Sequence, residues 1–490
     1  MSKWAAAGLI TIVVSRAFAG QTLEDDRLMV QTYARGFSSP SSAVFLNSSG
    51  DALIAQRNDG KVLLVRNRQI VGTALDLAIP SPAQGTSGLS AIALSPGFET
   101  NRRVYVAWTG SAADGGFPTT QQVARFKFDP VQGKLKFDQF VWRGPDYNAL
   151  NRPLGGLAFD AKGKLYLSTG NQGTQPSVTQ NYNPYAGTIT IPATPLPPSE
   201  LVPFGTGTIS IPWQTREPTA SILRLQPDGT SIATNPFGAD PDFKDVFSYG
   251  VRDAKGLAVD PVSGVLWDAE QSGRFDEVNR VSGGSNGGWA RVSGPAARNS
   301  TAAVNGLISI GAKAAYSDPQ FSWNSPARVG DLHFLHSSRL GMEYADDLFV
   351  ANGNGTIFHF DLTQDRTSLV LAGGLADRVA DNTYTDLLFE QESILFGQGF
   401  GSVSDLLAGP GGMFVLSEQY GTLYRIRDNP NPGLSVPISV SAILLPEPGM
   451  LFGTWALTCW LTRPRRRRGQ SSFSTSTIRH GGSASMNSLP

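Results

Sequence analysis

Cysteine is nearly absent: one of the 490 residues, Cys459, carries a thiol. A lone cysteine forms no intrachain disulfide and no Cys-based zinc site, which excludes a disulfide scaffold and a thiolate metal centre. Histidine is also scarce, with four residues and none before His333. Charged residues reach only 16%, and no apolar run attains the roughly 20 residues of a free-standing membrane helix. Long helical stretches are missing as well, because 54 glycines and 32 prolines punctuate the chain. A helical bundle or coiled coil is therefore excluded. What remains is 40% hydrophobic and 10% aromatic residues, enough for a large core in a globular, mainly β protein.

The formal charge of zero hides an asymmetry. Lys3, Arg16, Arg463, Arg465, Arg466, Arg467, Arg468 and Arg479 lie at the two ends; without them and Glu447 the body keeps 32 basic against 39 acidic residues, a charge near −7. A body of that sign repels phosphate backbones, so nucleic acid is not an expected partner.

Both ends read as sorting segments. Lys3, the apolar run Ala5 to Val14 and Ala17-Phe18-Ala19 form a signal peptide over residues 1–19. Pro446-Glu447-Pro448, the apolar stretch Met450 to Leu461 and the basic run Arg465 to Arg468 resemble a PEP-CTERM sorting signal over 446–468, followed by a polar tail, 469–490. The resemblance implies export, transient inner-membrane attachment, a C-terminal processing enzyme as partner, and a final place at the cell surface or outside. An ordinary C-terminal membrane anchor is the rival reading.

Between these ends, in residues 20–445, one unit recurs: an apolar run, a Gly-containing turn, then an apolar strand. Gly156-Leu157-Ala158-Phe159 with Gly163-Lys164-Leu165-Tyr166-Leu167, and Gly256-Leu257-Ala258-Val259 with Gly264-Val265-Leu266-Trp267, are two copies. Six such units predict an all-β, six-bladed β-propeller. Residues 175–218 break the rhythm. There Gly187-Thr188-Ile189-Thr190 is echoed by Gly207-Thr208-Ile209-Ser210, so an inserted excursion built on a hairpin is expected, with a disordered linker as the alternative.

Ser87-Gly88-Leu89-Ser90-Ala91 through Gly97-Phe98, then Gly250-Val251-Arg252-Asp253-Ala254-Lys255-Gly256-Leu257-Ala258 with Glu270-Gln271, Asp276-Glu277 and Gly283 to Trp289, resemble the soluble glucose/sorbosone dehydrogenases. That family consists of six-bladed propellers using pyrroloquinoline quinone (PQQ) and calcium to oxidise aldose sugars. The resemblance spans about Val30 to Arg427. It implies cofactor contacts at Arg252, Gln271, Asp276 and Trp323, and calcium at the carbonyls of Ser272 and Gly273 with Glu277 in support. The residue types suit the task, since cations and amides must hold a tricarboxylate and a proton acceptor must take the sugar hydroxyl's proton.

Several positions depart from the pattern. Asp253 replaces an asparagine, and Arg152 stands where the family has its catalytic histidine; a guanidinium is no base at neutral pH. Ser402 and Ser404 replace two arginines, and no lysine lies between Leu348 and Phe360. Each of Arg252, Trp323 and the Asp276-Glu277 pair also has a purely structural reading, as an ion pair, a core aromatic or a loop tie. Two functions are therefore carried forward: a PQQ-dependent sugar dehydrogenase acting on sugar or exopolysaccharide, and a non-catalytic propeller that binds polysaccharide or a protein at the cell surface.

Overall fold

The computed structural model describes residues 20–77, 79, 88–111, 118–146, 154–170, 179, 181, 189–190, 208–209, 219–325, 327–381 and 390–432. The signal segment, the C-terminal sorting segment and Arg152 lie outside the described residues. The fold is an all-β propeller. Among the described residues the strands form six sheets of four to six strands and one two-stranded sheet. The small sheet pairs Ile189–Thr190 with Thr208–Ile209 antiparallel, joining the two Thr/Ile echoes of the excursion.

Each larger sheet contributes one strand to the wall of a single central cavity: Pro40–Phe45, Leu89–Leu94, Leu157–Phe159, Ala254–Val259, Val329–Phe334 and Val403–Gly409. Each of these inner strands touches the next, and the last touches the first, so the ring closes. Glycine makes this approach possible. A Cβ at Gly156 would lie 2.8 Å from the Leu257 nitrogen, and one at Gly256 would lie 2.6 Å from both Asp331 Oδ1 and the Leu332 nitrogen. The recurring Gly-Leu-Ala motif is thus a packing requirement between neighbouring sheets.

Short side-chain bonds stitch the seams. Ser41 Oγ donates to the Leu89 carbonyl at 2.7 Å, Ser168 Oγ to the Ala254 carbonyl at 2.7 Å, and Gln271 Nε2 to the Val329 carbonyl at 2.8 Å. The ring closes covalently distant parts: Leu28–Arg35 pairs antiparallel with Thr422–Asp428 and completes the last sheet. Between sheets lie aromatic cores, the largest holding Trp267, Phe321, Trp323, Phe334, Phe358 and Phe360.

Candidate functional site at the rim of the central cavity

The cavity has a volume of about 740 Å³, and the inner strands enter it from one common end. At that end Arg57, Lys255, Arg328, Gln271, Glu418 and Gln419 line it, together with Ser402 and Ser404. Arg57 Nη1 meets Glu418 Oε1 at 2.7 Å, and Lys255 Nζ meets Asp253 Oδ1 at 3.1 Å. Arg328 differs. It is exposed, its backbone is left-handed at φ 58°, and among the described residues it has no ion-pair partner. Its carbonyl accepts the Gly353 N–H at 2.7 Å, and a Cβ at Gly353 would lie 3.1 Å from Arg328 Cβ. The absence of a side chain at Gly353 therefore leaves the guanidinium stem its place.

Behind the rim, Arg252 stacks over Trp289, 4.8 Å from the ring centroid, and its Nη1 donates to the Gln271 carbonyl at 3.4 Å. Asp276 is buried, and its Oδ2 accepts the Val329 N–H at 3.1 Å. Burial pushes its pKa up to about 6, although the Val329 and Arg328 N–H groups pull the other way. Deeper in the cavity Asp331 Oδ2 accepts the Leu406 N–H at 2.8 Å and Asp405 Oδ2 the Ala43 N–H at 2.6 Å. Desolvation raises both, Asp405 to about 6 and Asp331 well above the usual carboxylate range, and the Asp405 charge raises Asp331 further. One negative charge disfavours a second beside it, so the pair keeps a proton to higher pH than a free carboxyl does. At the far end His333 Nε2 accepts the Ala408 N–H at 3.0 Å, and burial pushes the imidazole down to about 4.

The sequence profile of the glucose/sorbosone dehydrogenases matches residues 37–193 and 211–425. The chain belongs to the glucose/sorbosone dehydrogenase family. It is 25% identical over 209 residues to an aldose sugar dehydrogenase of Escherichia coli, covering 42% of this chain and 47% of the relative. The chain spans between 44% and 62% of the length of the curated relatives it matches. Among solved structures, the apo form of the soluble aldose sugar dehydrogenase from Escherichia coli superposes with a TM-score of 0.58 at 19% identity, covering 82% of this chain and 100% of that one. The PQQ-bound aldose sugar dehydrogenase of Streptomyces coelicolor gives 0.54 at 18% identity, covering 82% and 99%. At these identities the structures speak for the fold.

In this member of the family, the expected site residues separate. Arg252, Gln271 and Asp276 gather at or just behind the rim. Trp323 does not: it is 2% exposed, its indole N–H donates to Gln391 Oε1 at 2.8 Å, and its ring packs against Phe321 and Phe358. This is the core-aromatic reading of Trp323, whose side chain shares a face of the sheet with Asp276, its partner across adjacent strands.

Ser272 is buried, and its carbonyl accepts the Ser293 hydroxyl at 3.3 Å. Gly273 turns beside it at φ 106°, and a Cβ there would lie 3.1 Å from Arg252 Nη1. Glu277 Oε1 ties the Gly294 N–H at 2.6 Å. Burial raises Glu277 to about 7, against the pull of its hydrogen bonds. Ser402 and Ser404 both line the cavity, where they offer hydroxyls and no charge. The strand that carries His333 ends at Phe334, and His336 pairs with Asp346 outside it. Arg328 and Arg57 were not singled out by sequence reasoning.

Proposed function

We propose that this chain is an exported, six-bladed sugar dehydrogenase-type propeller that holds PQQ beside calcium at the rim and acts on aldose sugars or exopolysaccharide. The blade count rests on the six sheets that each give one strand to the cavity wall. The observation that carries the cofactor reading is Arg328, a rim cation with no ion-pair partner among the described residues, beside Arg57 and Lys255, which are paired with Glu418 and Asp253. Arg57, Lys255 and Arg328 face one cavity with the Gln271 amide, a donor set suited to an acidic, ring-shaped molecule. Arg328 stands beside Gly353, in the region where the family's lysine is lost, and supplies a cation from the neighbouring segment. Arg252 would steady the far side of the site by its stacking on Trp289. Calcium would take the Ser272 and Gly273 carbonyls, with Glu277 behind them. When bound, PQQ supplies a hydride acceptor.

A second reading, a non-catalytic propeller that binds polysaccharide or a partner, draws on Arg152, Ser402 and Ser404. His333, the one histidine among the described residues lining the cavity, has its Nε2 occupied by the Ala408 N–H and sits away from the rim. Calorimetric titration of the full chain with PQQ, with and without calcium, followed by dye-linked oxidation of aldoses, separates the two. We expect PQQ to bind and Arg328→Ala to weaken it about 10- to 100-fold, since a charge-assisted hydrogen bond is worth about 1.5–3 kcal/mol. Binding without turnover would favour the second reading, and no binding would sink the cofactor reading.

The terminal segments support export and C-terminal sorting. Mass spectrometry of surface-released protein should find an end near Pro446; recovery of an intact Cys459 and arginine run would remove the processing reading.

A further inference from the structure

The strands Leu348–Asn352 and Ile357–Phe360 form a hairpin whose turn reaches the cavity rim at Gly353. Its open end lies at the other extreme. Leu348 pairs with Phe360 there, so the flanking residues Asp347 and Asp361 stand across from each other. Like charges directly opposite destabilise a strand pair. Between them sits His359, two residues before Asp361 and on the same face. Its Nε2 lies 2.9 Å from Asp347 Oδ2 and 3.5 Å from Asp361 Oδ1, and all three donor atoms fall within 4.8 Å of one another.

We propose that Asp347, His359 and Asp361 form a binding site for a divalent transition-metal ion, zinc or manganese. Geometry supports this first. A tetrahedral ion with bonds of about 2.0 Å holds its ligands about 3.3 Å apart, and the two imidazole–carboxylate separations bracket that value. The imidazole is fixed before any ion arrives, its ring packed 5.1 Å from both Phe349 and Tyr344. Donor chemistry supports it next. Two carboxylates cancel the charge of a divalent ion and suit manganese, and the imidazole nitrogen favours zinc over calcium or magnesium, which take oxygen. Arg366, the nearby cation, is committed elsewhere: its Nε meets the buried Asp260 Oδ2 at 2.6 Å and its Nη2 donates to the Asp346 carbonyl at 2.6 Å. Access comes through Asp361, 57% exposed, while His359 and Asp347 are shielded. Three protein ligands leave a position for water.

The site is independent of the sugar dehydrogenase reading. Its consequence is mechanical, since an ion there would clasp the hairpin that carries Gly353 to the rim. The test is calorimetric titration of the chelator-stripped full chain with zinc chloride and, separately, manganese chloride. The wild type is expected to bind one ion at this site, at least tenfold more weakly in Asp361→Ala and not at all in His359→Gln. Excess calcium should not compete. Because Asp361 is on the surface, its variant decides the matter even if His359→Gln fails to fold, and comparison with wild type removes any ion held by His336 or His480. Equal affinity in wild type and Asp361→Ala, or no binding by wild type, would reduce the three groups to an ordinary ion pair and overturn the proposal.

Discussion

The rim of the cavity and the interior of the sheet behind it both concentrate charge, under opposite conditions. At the rim, Arg57 faces Glu418 and Lys255 faces Asp253, and the Arg57 and Glu418 side chains are 24% and 28% exposed. In the interior, Asp268, Glu270 and Glu277 are each 1% exposed and gather round the Asn279 amide, at 3.0, 3.4 and 3.5 Å. No Lys or Arg forms an ion pair with these three carboxyls among the described residues. Burial raises Asp268 and Glu277 to about 7 and Glu270 well above its usual range; the Glu277 charge raises Asp268 and Glu270 further, and the Asp268 charge raises Glu270. At the rim, charge is cancelled by charge and by water; in the interior it is cancelled by protons. The second arrangement ties stability to pH near neutrality.

The largest test of that contrast is the pH dependence of stability. The interior carboxyls keep their protons in the folded chain to a higher pH than in the unfolded chain, where Asp and Glu ionise near 3.9 and 4.3. Their contribution is therefore full below about pH 4 and is lost as pH rises through 6 to 7. The chain should unfold at a higher temperature at pH 5 than at pH 7.5, measured by scanning calorimetry in chelator so that no cation replaces the protons. Asp268→Asn should raise stability at pH 7.5 by about 1–3 kcal/mol, with one pKa unit worth about 1.4 kcal/mol, and change little at pH 5. A midpoint that stays flat from pH 5 to 7.5 in the wild type would show the cluster to be ionised and otherwise compensated.

The smallest effect belongs to the rim. Arg57→Ala should lower unfolding stability by only about 0.2–1 kcal/mol in urea titration, because both partners are partly solvated. A loss of several kcal/mol would mean that the rim behaves like the interior and would erase the contrast.

The parts of this molecule that sequence could disclose are those set by repetition. Gly156-Leu157-Ala158 and Gly256-Leu257-Ala258 announced inner strands because close approach between sheets leaves room only for glycine. The Thr/Ile echoes likewise announced a hairpin, and Ile189 does pair with Ile209. Site chemistry was less legible. Arg328 follows a Pro-Ala step with no periodic cue, and a left-handed backbone turns it into the cavity. Trp323 kept two readings in the sequence, cofactor contact and core aromatic, because its neighbours Phe321 and Phe358 come together only in the folded sheets. Asp268 and Glu270 alternate with apolar neighbours like a solvated strand face, yet this sheet is covered on both sides, a fact that lies in the tertiary structure. The Asp347, His359 and Asp361 grouping depends on the register of a hairpin that composition does not reveal.

The pairing of Leu28 with Asp428 joins residues 400 positions apart, and it sets a clock for biogenesis. At about 5–20 residues per second, the strand Leu28–Arg35 waits roughly 20 to 80 s after its own synthesis for its partner. During that interval the ring is open and Leu28–Arg35 lacks the strand it pairs with, exposing apolar surface that the closed form hides. The contact that locks the fold therefore cannot form until synthesis has passed Asp428, so the strand made first is among the last to be paired.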